Sequence, residues 1–483
     1  MLITALLNKI KTKDIIGSME KDVVFLSQDS REIEHRGSCY FAVPGTQVDG
    51  HDYIDQAIKN GASVVVCEIL PVHFNKIVTF VVVENVRKSM GEVASHFYGN
   101  PSKEITIIAV TGTNGKTSIA TYASQILQSF EKKVLLLSTA GDYFNSIKIH
   151  INRKAPSSLE VIELQRILRH YVDQGATHCC LEATSQGLDQ DRLSGVDVDI
   201  AIFSNLERDH LDYHKTIENY AAAKKKLFDD LKKEAIAISN YDDPCGKMMI
   251  KNTKAKVISY GNNNKYDYSF DAPLVALGMI NCNFNAKPVS LPVVGLFNIY
   301  NLLVVYSLLC ELGFSTLDII EKLNNISGVP GRMEQVINKR NILALVDYAH
   351  SPGAVESVLS SLKEIPHNNI ITVIGCGGDR DRTKRPLMAA VAQQMSDHVI
   401  YTSDNPRTES LDQIFSDMSS GINQDKQNFE YISSREEAIV SAIKNADKGD
   451  IILVAGKGHE DYQIIGTKKI HFNDVEIMTK YLS

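Results

Sequence analysis

Tryptophan is absent from this sequence, and a basic excess, paired cysteines and long apolar runs are missing as well. The formal net charge of -7 over 483 residues excludes broad nucleic-acid or anionic-membrane binding, although it leaves room for a local basic pocket. Eight cysteines are present, but none forms a C-x-x-C pair, and the neighbours Cys179 and Cys180 suit neither a structural disulfide nor a zinc site. They read as small buried hydrophobes in a reducing compartment. No segment reaches the roughly 20 apolar residues of a membrane span. The opening MLITALLNKIKTKD lacks the basic region and cleavage site of a secretory signal. The expectation is a cytoplasmic protein without membrane insertion. Repeats and low-complexity tracts are also missing, and nothing points to a protein partner.

What is present is α/β patterning on a chain too long for one core, with room for about three domains. Up to residue 103, short apolar runs at Val23 to Leu26, Cys39 to Val43, Ser63 to Cys67 and Phe80 to Val83 alternate with polar or helical stretches. Asn100-Pro101-Ser102 punctuates the end of this region. From Ile105 a buried-type strand, a glycine-rich turn and a helix over Ser118 to Phe130 open a second pattern. Val134 to Leu137, Cys179 to Leu181 and Asp199 to Ile202 read as further strands. The last third repeats the logic at Ile342 to Val346, Ile370 to Ile374, His398 to Tyr401 and Ile451 to Val454. The predicted fold is α/β in three domains. Residues 1–103 form a small substrate domain, 104–331 a central P-loop-type doubly wound, mostly parallel sheet, and 332–483 a Rossmann-like sheet.

Thr111-Gly112-Thr113-Asn114-Gly115-Lys116-Thr117 lies between a predicted strand and helix. Glycines let successive N–H groups turn toward phosphate oxygens, Lys116 offers a cation to them, and Thr117 a hydroxyl to magnesium. A nucleotide site follows, but no particular reaction, because many NTPases share the loop. Glu182 ends a strand, and His210 follows another. Carboxylate, imidazole and phosphate oxygens together suit a magnesium ion held partly by substrate. In the next helix, Ile217, Tyr220, Ala221, Lys224, Leu227, Phe228 and Leu231 make one apolar stripe that contains Lys224, whereas Lys225 and Lys226 lie off it on a solvated face. A lysine buried in that way loses its charge readily, and its neutral amine can capture carbon dioxide as a carbamate; a snorkelling lysine is the everyday alternative.

TGTNGKT, EATSQGLDQDR (Glu182 to Arg192), SNLERDHLDYH (Ser204 to His214), YAAAK ending at Lys224, GLFNIYN (Gly295 to Asn301), GRME (Gly331 to Glu334) and VDYAHSP (Val346 to Pro352) together resemble the Mur ligase family across nearly the whole chain. The resemblance implies that ATP phosphorylates a substrate carboxylate. An incoming amine then attacks the acyl phosphate, and ADP and phosphate leave. It further implies that Lys224 is N6-carboxylated and supports a magnesium ion with His210, while Glu182 and Thr117 hold another. Asn298 and Asn301 would lie near adenine, and Arg332 and Asp347 would complete the nucleotide site. Two cations and Lys116 would offset the repulsion between a carboxylate and a triphosphate.

Asp404-Asn405-Pro406-Arg407, Gly377-Gly378-Asp379-Arg380 and Gly456-Lys457-Gly458-His459-Glu460 each follow a predicted strand, where a doubly wound sheet binds ligands. Asp404 to Arg407 resembles the signature of ligases that add meso-diaminopimelate. Arg407 and Arg380 suit carboxylates, Glu460 an ammonium, and an arginine left unpaired would discriminate against lysine. Gly375-Cys376-Gly377-Gly378 is not a dinucleotide fingerprint, because position 380 is Arg. Ser30, Thr46, Gln47 and Val48 match the family's uridine-diphosphate contacts. Ser157, Ser158, Thr184, Gln190 and Arg192 match positions that touch the muramoyl dipeptide, making UDP-N-acetylmuramoyl-dipeptide the expected partner substrate. Ser157-Ser158 stands where the family usually has a Thr pair, and Gln186 where it often has His. Three alternatives stay open: a lysine-adding ligase on the same scaffold, a folate polyglutamyl ligase, and a P-loop regulator without catalysis. Amino-acid competition separates the first, the signature at Asp404 to Arg407 speaks against the second, and the set Lys116, Glu182, His210 and Lys224 against the third.

Overall fold

The computed structural model describes all residues except 9, 46, 47, 76, 152 and 154–157. Met1–Lys116 with Leu127–Ser259 form one compact unit, and Thr117–Ile126 with Tyr260–Ser483 another.

The first unit holds two sheets. The N-terminal sheet runs in the order Thr12–Ile16, Thr79–Val83, Ala62–Cys67, Ser38–Phe41, Phe25–Ser27. Its four inner pairings are parallel except the first. Val64, Val65, Val66 and Cys67 are fully buried, as expected of a parallel strand covered on both faces. Helix Val86–Phe97 covers one face through Val86, Met90, Val93 and Ala94. Helix Ile54–Asn60 covers the other beside Tyr40, Val65 and Phe80. The edge strand Thr12–Ile16 carries Lys13 and Asp14 outward and so lacks the apolar signal that marks its neighbours.

The second sheet of this unit orders Ile236–Asn240, Ile200–Phe203, Thr106–Thr111, His178–Glu182 and Val134–Ser138 as parallel neighbours. An antiparallel hairpin, Gly141–Phe144 with Ile147–Ile149, extends it. Each predicted strand is present, with its boundaries moved by one or two residues. The two sheets of this unit are keyed together by backbone. A Cβ on Gly91 would overlap Ser194, one on Gly195 would overlap Gly91, and the Ser194 hydroxyl donates to Lys88 O at 2.9 Å.

The second unit begins with an antiparallel meander, Tyr268–Ala276, Met279–Phe284 and Lys287–Leu291. Pro273 falls where its register shifts between Asp271 and Leu274, the kind of bulge that tolerates a residue without an N–H. Helix Phe297–Glu311 is apolar all round and correspondingly buried. The six-stranded sheet runs Glu334–Val336, Leu343–Asp347, Ile451–Ala455, Ile370–Cys376, His398–Ser403, Phe429–Tyr431, and only the first pairing is antiparallel. Helices Pro352–Lys363, Lys384–Met395 and Leu411–Ser419 pack on one face, and Arg435–Asn445 and Asp474–Leu482 on the other. Arg435 and Asp474, both fully buried, pair through two contacts of 2.8 and 2.7 Å, and Arg435 also donates to Ser403 O and Ala455 O. Residues Asp347, Cys376, Ser403 and Ala455 end the parallel strands at one edge, which is where such a sheet presents its ligand loops. Among the described residues no helix is long and apolar enough to cross a membrane.

Candidate active site

In the first unit, the buried strand Thr106–Thr111 delivers the chain into the glycine-rich loop, which runs to Lys116. Gly112 has φ +151°, and a Cβ there would overlap the Ser204 hydroxyl, so only glycine fits without strain. The loop is shaped by residues that follow the neighbouring strand. Asn205 Oδ1 accepts from Asn114 N at 2.8 Å, Ser204 Oγ donates to Asn114 O at 2.6 Å, and Asn205 O accepts from Thr113 N at 2.9 Å. Lys116 Nζ donates to Gly112 O and Thr113 O at 2.9 and 2.8 Å, and Thr117, the next residue, is buried. A cation curled inside a loop of this kind is chemistry suited to phosphate oxygens.

Lys224 lies where the apolar stripe put it, 1% exposed on helix Ile217–Asp229. Its Nζ donates to Gly112 O at 2.7 Å and stands 4.4 Å from the centre of the Tyr220 ring. Burial, and after it the charge of Lys116, depress its pKa well below the usual lysine value, with Asp209 acting in the opposite direction. Lys225 and Lys226 are half-buried rather than freely solvated, paired with Asp229 and Asp191. Glu182 ends its strand in register with Val110, and its Oε1 accepts from Thr139 N at 2.7 Å and Thr139 Oγ1 at 3.1 Å. His210 is about half exposed at φ +52°, with Nε2 3.6 Å from the Asp209 carboxylate. Among the described residues no three His, Cys, Asp or Glu side chains cluster as a metal cage. Glu182 offers carboxylate oxygens and His210 an exposed imidazole, donor chemistry of the kind a divalent cation accepts.

Four of the residues matched to the muramoyl dipeptide form one hydrogen-bonded group. Ser158 Oγ contacts Thr184 Oγ1. Arg192 donates to Ser158 O at 2.9 Å and to Gln190 Oε1 at 2.8 Å, and Arg192 pairs with Glu160 at 2.9 Å. Gln190 Nε2 reaches Tyr213 OH at 3.1 Å, a partner that sequence reading did not single out. Ser30 is buried at the head of a short 3-10 turn in the N-terminal region, and Val48 is exposed. Thr46, Gln47 and Ser157 lie outside the described residues.

In the second unit, Asn298 Nδ2 donates to Val294 O at 2.7 Å and Asn301 Nδ2 to Asn298 Oδ1 at 2.9 Å, so two buried amides orient each other. Asp347 accepts from Met333 N and Ala349 N, both at 2.8 Å, and burial raises its pKa against the pull of Arg332. The Arg332 guanidinium lies 5.1 Å from the Tyr348 ring centre, and its buried Nε has no hydrogen-bond partner among the described residues.

At the carboxyl edge of the six-stranded sheet, Arg380, Asp404, Asn405, Arg407, Gly456 and Glu460 line one cavity of about 260 Å³. Tyr348, His350 and Lys384 share its wall. Asn405 is the hub. Its Nδ2 donates to Glu460 Oε2 at 2.8 Å and its Oδ1 accepts from Ile464 N at 2.9 Å. The fully buried Lys457 also donates to Glu460 Oε2, at 3.0 Å. Arg407 adopts φ +53°. Its N donates to Ile464 O at 3.0 Å, its O accepts from Gly466 N at 2.7 Å, and Nη1 donates to Gly378 O at 2.8 Å. Thus the hairpin Tyr462–Ile465 with Lys468–His471 grips the backbone of the arginine that was expected to recognise a carboxylate. A Cβ on Gly456, at φ +113°, would come 2.8 Å from Asp404 Oδ2. Sequence reading missed Lys384, since nothing local distinguishes it from a solvated lysine.

Family models agree with this geometry. That of the Mur ligase family catalytic domain matches residues 22–98, that of the Mur ligase middle domain 110–309, and that of the Mur ligase glutamate ligase domain 331–458. The chain belongs to the Mur ligase family. One Mur ligase relative is the UDP-N-acetylmuramoyl-L-alanyl-D-glutamate–2,6-diaminopimelate ligase of Parabacteroides distasonis. It is 40% identical over 489 residues, covering 98% of this chain and 99% of the relative. The ligase of the same name from Geobacillus thermodenitrificans is 41% identical over 463 residues, covering 94% and 93%. A solved structure of a ligase with that name is 35% identical, with a TM-score of 0.73 over 100% of this chain and 98% of the other. The Mur ligase fold extends to a MurF ligase of Thermotoga maritima solved with ADP, 18% identical, with a TM-score of 0.58 over 95% and 96%.

Proposed function

We propose that this Mur ligase joins meso-2,6-diaminopimelate to UDP-N-acetylmuramoyl-L-alanyl-D-glutamate at the expense of ATP, a step of peptidoglycan precursor synthesis, and that it does so in the cytoplasm. The observation that carries this reading is the cavity at the sheet edge, where two guanidinium groups and two carboxylates converge on a volume suited to one small zwitterion. Diaminopimelate carries two carboxylates and two ammonium groups, so both signs of charge find a partner. Lysine would leave one guanidinium without a carboxylate, a desolvated loss that supports discrimination. The relatives' names support the same reading.

In this reading residues 1–103 receive the UDP moiety, 104–331 the ATP and 332–483 the amino acid. Ser30, Thr46, Gln47 and Val48 take the uridine diphosphate, and Ser157, Ser158, Thr184, Gln190 and Arg192 the muramoyl dipeptide. Thr111 to Thr117 cradle the phosphates, Asn298 and Asn301 flank adenine, and Arg332 and Asp347 serve the nucleotide. The glutamyl carboxylate attacks the γ-phosphorus and ADP leaves. The amine of diaminopimelate then attacks the acyl carbon, an amide forms, phosphate leaves and the amine proton passes to solvent. Thr117, Glu182, His210 and a carbamylated Lys224 would hold magnesium, which supplies charge neutralisation between the carboxylate and the triphosphate. Lys116 adds to that neutralisation from within its loop. The depressed pKa of Lys224 supports carbamylation, because only the neutral amine captures carbon dioxide.

The test is phosphate release with purified UDP-precursor, ATP and magnesium, read with and without amino acid, and with the product identified by mass. Turnover that requires diaminopimelate, and survives equal lysine, supports the reading. Preferential incorporation of lysine overturns it.

A further inference from the structure

Arg385 reads in the sequence as one more solvated cation in the basic stretch that begins at Arg380. Instead it is fully buried. Its Nη1 and Nη2 donate to Glu409 Oε1 and Oε2 at 2.8 and 2.6 Å, Nη1 also to Asp417 Oδ2 at 2.8 Å, and Nη2 to Gly377 O at 3.1 Å. Glu409 passes the link on. Its Oε2 accepts from Asp379 N at 2.9 Å, and the Asp379 carboxylate accepts from Thr408 N and Oγ1 at 3.1 and 3.0 Å. Two backbone approaches complete the joint. Gly378 N donates to Asn405 O at 2.9 Å, and a Cβ on Gly378 would overlap Pro406 O. The two loops tied in this way are the ones that carry Arg380 and Arg407 into the cavity. The hydrogen bond from Arg385 also draws the Glu409 carboxyl down to about 2, so the clamp is ionised at neutral pH.

We infer that Arg385 is a positioning residue for amino-acid selection, a buried clamp that fixes the separation of Arg380 and Arg407 and with it the match to a substrate bearing two carboxylates. The inference rests on the proposed function. A planar fork bonded to both oxygens of Glu409 and to a carbonyl of the other loop fixes distance and angle together, which a lysine ammonium cannot do. Recognition of two carboxylates at set separation is the property most sensitive to a small change in that spacing.

The experiment compares the full-length wild type with Arg385→Lys, Thr408→Val and, as a control, Arg382→Ala. Arg382 is exposed, binds Asp417 from outside at 2.8 Å and reaches Glu409 Oε1 only at a solvent-screened 3.9 Å. Steady-state kinetics are read for each substrate, together with the diaminopimelate-to-lysine ratio of kcat/KM and the melting temperature. The expected result for Arg385→Lys is a KM for diaminopimelate raised about tenfold or more and a ratio reduced by a similar factor, with kcat and the KM for ATP within about twofold. Thr408→Val, which removes the hydroxyl bond to Asp379 and leaves the Thr408 N–H bond in place, shifts the same two quantities in the same direction by a smaller factor. Arg382→Ala leaves both unchanged. A folded Arg385→Lys with an unchanged KM and ratio overturns the inference while the proposed function stands. So does a uniform loss in every parameter. If Arg385→Lys does not fold, Thr408→Val decides by the same criterion. A wild type that ignores diaminopimelate refutes the proposed function and the inference with it.

Discussion

Replacing Gly112 by alanine probes how the nucleotide loop is built. At φ +151° an L-residue is strained by about 1–3 kcal/mol. The new methyl group also overlaps Ser204 Oγ, while the next atoms, Asn205 N and O, stand at a tight 3.2 Å that a backbone shift of a few tenths of an ångström relieves. The hydroxyl must rotate away and give up its bond to Asn114 O, a further loss of roughly 0.5–1.5 kcal/mol. The loop relaxes in the free protein, and nucleotide must restore it, so the combined penalty of about 1.5–4.5 kcal/mol appears as ATP affinity reduced about 10- to 1,500-fold. Ser204→Ala alone loses only the hydrogen bond, about 2- to 10-fold. In the double variant the clash is gone, so Ser204→Ala adds nothing to the defect of Gly112→Ala or partly relieves it. Calorimetric titration of a non-hydrolysable ATP analogue into the four proteins closes the cycle. Additive defects, or wild-type affinity in Gly112→Ala, would refute the reasoning.

Four further outcomes are expected. Lys224→Ala abolishes turnover, and bicarbonate or a short carboxylic acid restores part of it; full activity without addition removes the carbamate from the mechanism. Because folding depresses the pKa of Lys224 below 10.5, the unfolded chain binds the extra proton between the two values, and stability rises with pH across that window and is lost as pH falls through the folded value. In carbon-dioxide-free buffer the wild type should therefore gain melting temperature relative to Lys224→Met as pH rises toward about 10, and parallel pH curves would contradict this. Asp474→Ala strands a fully buried Arg435 and should lower stability by about 3–5 kcal/mol in urea unfolding; a change below about 1 kcal/mol would show the pair to be dispensable. Arg407→Ala should raise the KM for diaminopimelate about 10- to 100-fold with the KM for the UDP-precursor unmoved, as measured by initial rates across both concentrations.

Much of this molecule was legible because its parts answer to local rules. The parallel strands announce themselves as apolar runs buried on both faces, and the loop Thr111 to Thr117 uses residue types that the backbone or a phosphate demands. Lys224 could be placed by helical period alone. Arg385 could not. Its burial depends on Glu409 and Asp417, which lie 24 and 32 residues away, and a cation beside Arg382 and Lys384 carries no local mark of its partners. The burial of Lys457 depends likewise on Asn405, 52 residues earlier. The meander over Tyr268–Ala276 escaped because Pro273 reads as a breaker until the bulge that accommodates it is seen. The hairpin Tyr462–His471 escaped because its strands are short and largely exposed, with polar residues where a core strand would be apolar.

That hairpin has a consequence for transplanting selectivity between ligases. Arg407 takes its direction from main-chain partners at Ile464 and Gly466, so the tetrapeptide Asp404 to Arg407 moved by itself into a lysine-adding homologue would arrive without the scaffold that aims it. A graft that also carried the ribbon from Tyr462 to His471 would bring along its own jig, and the two segments behave as one exchangeable cassette despite their separation along the chain.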